Sequence, residues 1–533
     1  MPPERQPRRL PRLQVALLLA ALLGCAGAST ACARRVVTGA PNGDGGATTT
    51  TDKSARPDGA APATDSGPPA RTQIDDDGND DPEDPGTGSA PTAGHFEKVG
   101  TAPLALTRIC DLTPFGDSLY AAHANQPLGT DGATITKYRA DGAKPFAVAF
   151  DWNRPGEPTK GGGAGQGFLR VHAIAGRLFV ADADPPYNGL GLVEHGTEGY
   201  VFVSDRAGTF AAPRAPHYRP PGSPDLLAWD DGKAGAAVLP RAYHVIDVVK
   251  FRGGLYASTG SVPPKEQAWH GPSPGALHRA SENGTRWTYE VDYPYPWKDG
   301  VWRLTFMVRF RDRLYAGIQD YDGRDPNDYV YFAPEASMVA ADAGAAREAG
   351  AAAGAPRADA AAPDPILRRA DSHPVRITRT GAAGTLRWWV DTRARPARLY
   401  WIAWSRDAGV QARVTSDGDH WATLPLPDDA GRPTDITRFR DSVVMLTERG
   451  LYKLTGAAVD GPGGVATSDG VADLVTTPIA RVNDASDAGA PPRVEKKSPF
   501  EVSDFFCVAP LAVFKNELYA GGQRGGSLYR LSE

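Results

Sequence analysis

Three aspartates stand at the same place in a repeated stretch of this sequence. Asp111, Asp247 and Asp435 each precede a phenylalanine by four residues. If the repeat is a structural one, their carboxylates point into one common funnel. Carboxylates gathered in this way can bind the hydroxyl groups of a sugar, or act as acid and base in glycoside hydrolysis. The spacing therefore predicts a ligand site whose chemistry stays open between binding and cleavage.

Aromatic and charged side chains are concentrated in the long polar stretches between the apolar runs. The candidates for ligand binding in these stretches are His195, Trp269, His270, Asp320, Tyr321, Arg324, Trp404 and Arg524. Aromatic rings with polar groups beside them suit sugar rings, and loops on a rigid scaffold commonly carry function. The alternative is that these stretches are polar only because surface turns are polar.

Several function classes lack support in the sequence. The H-E-x-x-H and G-x-S-x-G motifs and a Gly-rich phosphate loop with lysine are absent, so no cofactor is predicted. The 10 histidines form no pairs two or four residues apart, so no metal site is predicted. Lys plus Arg number 58 against 63 Asp plus Glu, and this balance excludes a dedicated nucleic-acid binder.

The candidate aspartates lie just ahead of a short phrase that recurs along the chain. Phe115-Gly-Asp-Ser-Leu119-Tyr120 is one copy, with an apolar residue and Leu-Tyr on either side of a polar turn. The copies begin at Phe115, Ile174, Phe251, Phe310, Phe439 and Phe514. Apolar runs flanking such a turn predict two antiparallel strands joined by a tight hairpin. One more copy, with Leu399-Tyr400, fits between those at 310 and 439.

A second phrase follows the first and consists of a polar turn and then an aromatic residue. The turns are centred on Asp141-Gly142, Asp205 to Gly208, Asn283-Gly284 and Asp417-Gly418, and the aromatics are Phe146, Phe210, Trp287 and Trp421. Asp-Gly and Asn-Gly between apolar runs predict hairpins, and the aromatics are predicted to be packing residues. These turns resemble Asp-box repeats, in which a turn carboxylate or amide caps the loop and the aromatic packs between sheets.

The whole unit resembles the blade of an Asp-box or kelch-like β-propeller. The resemblance covers residues 96–533 and implies an all-β fold of about seven four-stranded antiparallel blades, with six or eight as alternatives. Low-complexity insertions near 335–366 and 456–492 account for the longest gaps between copies. Asp-box propellers include sialidases and other hydrolases, but the Phe/Tyr-Arg-Ile-Pro motif that accompanies those enzymes is absent here.

The N-terminus is predicted to be an export signal. A basic stretch with Arg5, Arg8, Arg9 and Arg12 precedes an apolar run from Val15 to Leu23. Leu22-Leu23-Gly24-Cys25 resembles a bacterial lipobox, which implies cleavage after residue 24 and acylation of Cys25. Ordinary cleavage after Ala26-Gly27-Ala28 is the alternative. In such lipoproteins, Ala26 rather than Asp after the acylated cysteine implies sorting to the outer membrane.

Residues 25–95 are predicted to form a disordered tether between the anchor and the propeller. The segment is rich in Gly, Ala, Pro and Asp and has almost no large apolar side chain, so it cannot bury enough surface to fold. The predicted localisation is the cell envelope, lipid-anchored, with a periplasmic or secreted protein as the alternative. The membrane is then one partner, through the lipid, and a glycan or an envelope protein is another.

Closure of the propeller is also predicted from the sequence. The last repeat stops at Leu528–Glu533 without a fourth strand, and Phe96-Glu97-Lys98-Val99 resembles a fourth strand without its blade. We therefore expect the N-terminal strand to complete the final blade. Cys110 and Cys507 would then lie in the first strands of neighbouring blades. An oxidising compartment favours a disulfide between them, and two separate buried thiols are the alternative.

Three functional hypotheses follow from these features. The first is a lipid-anchored binding module for a glycan or a protein. The second is a carbohydrate-active hydrolase or lyase that uses the funnel carboxylates, and the third is a structural component of the envelope.

Overall fold

The computed structural model describes residues 84–533 apart from several internal segments. Those segments are 105, 125–131, 143, 153–166, 185–198, 212–232, 240–241, 243–244, 261–275, 281–286, 293–301, 321–328, 335–366, 372–382, 406–408, 457–474, 482–497 and 503–505. The predicted signal peptide, Cys25, most of the predicted tether and the predicted insertion near 335–366 lie outside the described residues.

The described residues form 28 β-strands and, apart from them, a single turn of 3-10 helix at Asp428–Ala430. The first half of the strands are β1 (His95–Thr101), β2 (Arg108–Phe115), β3 (Ser118–Ala124), β4 (Thr134–Tyr138), β5 (Phe146–Asp151), β6 (Gly167–Ile174), β7 (Arg177–Asp184), β8 (Gly199–Val203), β9 (Gly235–Leu239), β10 (Val245–Phe251), β11 (Gly254–Thr259), β12 (Ala276–Ala280), β13 (Trp287–Asp292) and β14 (Trp302–Phe310). The second half are β15 (Arg313–Asp320), β16 (Tyr329–Pro334), β17 (Leu367–Asp371), β18 (Ala383–Asp391), β19 (Arg398–Ser405), β20 (Gly409–Thr415), β21 (Ala422–Thr423), β22 (Pro433–Phe439), β23 (Ser442–Thr447), β24 (Gly450–Thr455), β25 (Val475–Arg481), β26 (Leu511–Phe514), β27 (Glu517–Gly521) and β28 (Ser527–Ser532).

These strands pair as seven four-stranded antiparallel blades. Blades 1 to 6 are β2–β5, β6–β9, β10–β13, β14–β17, β18–β21 and β22–β25, each paired in chain order, and blade 7 has the order β26-β27-β28-β1. The first strand of each blade lies against the first strand of the next, and the series returns from blade 7 to blade 1. The predicted seven-bladed propeller is therefore confirmed, with the first strands around its central channel.

The predicted hairpin joins the first and second strands in six blades. Phe251 pairs with Gly254 across the turn residues Arg252 and Gly253, for example, and both turn residues have positive φ. Such a two-residue turn matches the right-handed twist of the flanking strands. Because each first strand ends at this hairpin, all first strands run in the same direction along the channel.

Strand β1 closes the ring, as predicted. It pairs antiparallel with β28, from His95 opposite Ser532 to Thr101 opposite Ser527. The ladder leaves the last sheet without the open edge that it would otherwise expose. Glu97 adds side-chain contacts across the same ladder, to Arg530 and Ser532.

One expected insertion contains a strand instead. The stretch near 456–492 includes β25, Val475–Arg481, which is the fourth strand of blade 6 and pairs with β24. Its alternating Val-Thr-Thr-Pro-Ile sequence is hidden among small polar residues on both sides, and this composition obscured the strand.

Candidate functional site

Each of the three candidate aspartates follows an irregularity in the first strand of its blade. The pairing with the second strand shifts between Ile109 and Asp111, between Val245 and Asp247, and between Pro433 and Asp435. An extra residue in one strand bends it and re-aims the side chains beside the bulge. All three aspartates are buried as a result, with Asp247 only 1% exposed.

Each carboxylate accepts a backbone N–H from the first strand of the following blade. The Oδ2 atoms lie 3.0 Å from the nitrogen of Val171 for Asp111, 2.8 Å from that of Met307 for Asp247, and 2.7 Å from that of Leu511 for Asp435. A buried backbone donor needs a partner, and here the carboxylate of the preceding blade supplies it. The aspartates therefore link blade 1 to 2, blade 3 to 4 and blade 6 to 7.

Arg387 of blade 5 connects two of these aspartates. Its Nη1 lies 2.9 Å from Oδ1 of Asp111, and its Nε lies 3.7 Å from Oδ2 of Asp435. Its Nη2 also donates to the carbonyl of Cys110. Blades 5 and 1 are not neighbours, so Arg387 reaches across the central channel to make these contacts.

The remaining charges beside the channel are paired as well. Nη1 of Arg170 lies 3.3 Å from Oδ1 of Asp111, and its guanidinium lies over the ring of Phe306, 4.3 Å from the centroid. Nε2 of His172 lies 2.6 Å from Oδ1 of Asp247. We call Asp111, Arg170, Asp247, Arg387 and Asp435 the inner ring, since all five belong to first strands and alternate in charge around the channel.

Burial sets the protonation behaviour of the inner ring. It raises the pKa of Asp435 to about 6, although Arg387 and the backbone N–H groups of Leu511 and Ile436 act to lower it. The pKa of Asp111 is raised by burial as well, against the opposing charges of Arg387 and His172. A carboxylate with few water contacts is harder to ionise even where donors surround it.

The structure joins Cys110 and Cys507 in a disulfide, with a Cα–Cα distance of 4.6 Å. Cys507 does not lie in the first strand of blade 7, as the sequence suggested. It lies four residues before β26, in a connector that we define as residues 498–502 and 506–510. Phe506 of this connector lies under the guanidinium of Arg303 of blade 4, 5.0 Å from Cζ to the ring centroid.

The other predicted site residues have separate surroundings. Trp404 is buried in β19, in an apolar cluster with Ile402. Arg524 forms an ion pair with Glu501, at 2.6 Å, on the connector side of blade 7. Asp320 is the last residue of β15 and pairs with Trp302 along the backbone. His195, Trp269, His270, Tyr321 and Arg324 lie outside the described residues.

The turn aspartates hold single turns together. Oδ1 of Asp417 accepts the backbone N–H groups of Asp419 and His420, both at 2.8 Å. The following Trp421 is buried, and its Nε1 donates to the hydroxyl of Tyr329 at 3.1 Å. Asp205 holds its own turn in the same way.

Arginines of the inner ring were missed by the sequence analysis. Arg170 stands four residues before Ile174, which is the offset that singled out the three aspartates. Arg387 has the same offset from Asp391, where blade 5 begins its first connection. A search at this offset for any charged residue, rather than for aspartate, would have found both arginines.

Two further observations bear on function. Within the described ranges, no three His, Cys, Asp or Glu residues gather into a group that could hold a metal ion. The same part of the chain contains no helix of the length and apolar character needed to cross a membrane.

No protein-family model matches the sequence, and no curated protein matches it. Similar solved structures include a catalytically inactive virginiamycin B lyase from Staphylococcus aureus with quinupristin, at 8% identity and TM-score 0.42, covering 82% of this chain and 99% of that one. An exo-β-1,3-galactanase from Clostridium thermocellum has 10% identity and TM-score 0.32, covering 83% and 96%. A Trypanosoma rangeli sialidase in complex with sialic acid has 8% identity and TM-score 0.30, covering 84% and 57%. At this level of similarity, no activity is transferred to this chain.

Proposed function

We propose that this chain is an exported lipoprotein whose propeller is a binding module for a glycan or a protein of the cell envelope. Cleavage after residue 24 and acylation of Cys25 would anchor it, and Ala26 after the acylated cysteine would direct it to the outer membrane. The ligand-binding face is the end of the propeller where the first strands begin and the second strands finish. The loops after the second strands, which carry His195, Trp269 and Tyr321, leave from this end.

The inner ring is the observation that carries this proposal. Glycoside hydrolysis needs one carboxyl group that reaches the leaving oxygen and another on the opposite side of the sugar. Asp111, Asp247 and Asp435 are instead buried and hold neighbouring blades together through backbone N–H groups. A scaffold that uses its central carboxylates for its own cohesion, and presents long polar loops above them, supports binding rather than cleavage.

The experiment that tests the proposal measures retention and cleavage together. The full-length chain carrying Cys25→Ala, which removes the acylation site, is incubated with galactan, xylan, β-1,3-glucan, alginate and peptidoglycan. We expect retention on at least one polymer with no release of reducing ends. Release of reducing ends would overturn the binding module in favour of the hydrolase. Absence of retention on every polymer would exclude them as ligands and leave a protein of the envelope.

A hydrolase or lyase is the second candidate, and the raised pKa of Asp435 is the observation that favours it. A value of about 6 suits a general acid near neutral pH. Asp435→Asn and Asp247→Asn form a matched pair, since both weaken the same kind of link between blades. An enzyme that used Asp435 would lose turnover by orders of magnitude in the first variant only.

The lipid anchor has its own test. Metabolic labelling with an alkyne-bearing fatty acid should label the parent chain and leave a Cys25→Ser variant unlabelled. Equal labelling of the two would contradict acylation at Cys25.

A further inference from the structure

We propose that Phe506 and Arg303 together form the central contact point for a sugar residue on the ligand-binding face. This inference rests on the proposed binding function and deepens it. It names the residues at the channel mouth and the chemical class of ligand that they take.

The position of the pair carries the first step of the argument. Arg303 is the second residue of β14 and pairs with Gln319, next to the end of β15. It therefore lies at the end of blade 4 where the loop after the second strand leaves. Phe506 comes from the connector to blade 7, which is not a neighbour of blade 4 in the ring. Its contact with Arg303 places the ring of Phe506 over the channel, among the loops that carry the other candidate residues.

The support beneath Phe506 carries the second step. Its neighbour Cys507 is bound to Cys110 of blade 1 through the disulfide. Phe506 packs on a buried cluster that contains both cysteines together with Leu169 and Ile246, from blades 2 and 3. Apolar side chains from several blades thus fill the channel below the ring. A side chain held in this way loses little conformational entropy when a ligand binds to it.

The chemistry of the pair carries the third step. Phe506 is only partly buried, although it packs on this core and is joined to a disulfide-linked residue. Its exposed part can contact the apolar C–H face of a pyranose ring. A guanidinium stacked on an aromatic ring presents its N–H donors in its own plane, where sugar hydroxyl or carboxylate oxygens can accept them. An aromatic surface beside an in-plane donor fork is a sugar-binding arrangement.

The test compares variants at the channel mouth with a matched variant at the other end of the propeller. Phe506→Ala removes the ring, Phe506→Trp enlarges it, and Arg303→Lys keeps the charge but loses the planar fork. Phe146→Ala is the control, because Phe146 is also partly buried but follows a turn between the third and fourth strands of blade 1. All variants are made in the full-length chain with Cys25→Ala.

Binding is measured by titration calorimetry with soluble galactan, xylan, β-1,3-glucan and alginate, and folding by the midpoint of thermal unfolding. For the polymers that bind the parent, we expect Phe506→Ala to raise the dissociation constant about tenfold or more, which corresponds to about 1.4 kcal/mol. Arg303→Lys should give a smaller increase. Phe506→Trp should bind at least as tightly as the parent, and Phe146→Ala should bind like the parent.

Three outcomes decide the proposal. Equal affinities for the parent, Phe506→Ala and Arg303→Lys would overturn it while leaving the proposed binding function intact. No binding of the parent to any polymer would overturn the sugar ligand itself. If Phe506→Ala lowers the unfolding midpoint more than Phe146→Ala does, the decision passes to Arg303→Lys and Phe506→Trp. Unchanged affinity in both of these variants would overturn the proposal.

Discussion

Asp435 in the inner ring and Asp417 in an outer turn make the same kind of contact in two different surroundings. Each carboxylate accepts two backbone N–H groups at 2.7–2.8 Å. The donors to Asp435 are Ile436 and, from the next blade, Leu511. The donors to Asp417 all lie within its own turn. The first aspartate therefore joins two blades, and the second closes one hairpin.

Their pKa values move in opposite directions. Burial raises the pKa of Asp435 to about 6 in spite of its two N–H donors and Arg387. Partial burial also acts to raise the pKa of Asp417, but its hydrogen bonds, from His420 above all, lower it to about 2. Donors of similar number and geometry stabilise a half-exposed carboxylate and cannot offset the lost hydration of a buried one. Solvent access, more than the count of hydrogen bonds, decides the sign.

The largest expected effect comes from breaking the inner ring. Asp111→Ala leaves the guanidinium groups of Arg387 and Arg170 without their carboxylate, and the N–H of Val171 without an acceptor. Loss of one partner from a buried ion pair typically lowers the free energy of unfolding by about 3–5 kcal/mol. Urea denaturation of the variant and the parent measures this loss. Asp417→Ala, in an outer turn, should cost only about 1 kcal/mol, and equal losses at the two sites would contradict the comparison.

Asp435 should make the protein less stable as the pH rises. Its folded pKa lies above the unfolded value, so the folded state holds the proton between about pH 4 and 6 while the unfolded chain releases it. Across that window, we expect the free energy of unfolding of the parent to fall by about 3 kcal/mol relative to Asp435→Asn. Urea denaturation at half-unit pH steps measures the difference. A difference that does not change with pH would show that burial leaves this carboxylate unperturbed.

His123 extends the comparison to a buried base. It is buried in β3, where its ring nitrogens contact the carbonyl of Arg108 and the hydroxyl of Thr136, and burial lowers its pKa to about 4. The unfolded chain therefore takes up the proton first, and stability should decrease by about 3 kcal/mol as the pH falls from 6.5 to 4. His123→Gln should lack this decrease. Titration of the imidazole by NMR gives an independent check, and an ordinary pKa near 6.5 would refute the prediction.

The smallest effect is expected at Asp417. Its folded pKa lies below the unfolded value, so its contribution is complete above about pH 4 and is lost as the pH falls to about 2. Because the side chain is one-third exposed, solvent screening reduces the expected loss to about 1 kcal/mol relative to Asp417→Asn. The slope of stability against pH should thus have the opposite sign to that of Asp435. Slopes of the same sign would remove the contrast between the two regions.

The fold followed from the sequence because its signals are local and repeated. Each copy of the Leu-Tyr phrase specifies a hairpin by itself, as Arg252 and Gly253 do between Phe251 and Gly254. Seven such copies, with a fourth strand missing at the end and one spare at the start, leave little choice of topology. The hidden strand β25 shows the limit, since its neighbours in sequence are too similar to it.

The inner ring could be predicted only in part, because its contacts are not local. The offset before phenylalanine identified Asp111, Asp247 and Asp435 as equivalent positions. Their partners are backbone groups of the following blade, and no sequence pattern marks a backbone donor. Arg387 meets Asp111 from across the channel, at a separation of 276 residues. Such a contact follows from the curvature of the whole ring rather than from any stretch of the chain.

The closure by β1 has a consequence for how the chain assembles. Glu97 and Ser532, which face each other in the last ladder, are 435 positions apart. The strand that is synthesised first in the propeller therefore acquires its partner only when the last strand has been made. Until then, both edges of the growing sheet array remain open to other strands. Contacts of such long sequence separation form slowly, so the final step of folding is the joining of the two ends of the propeller.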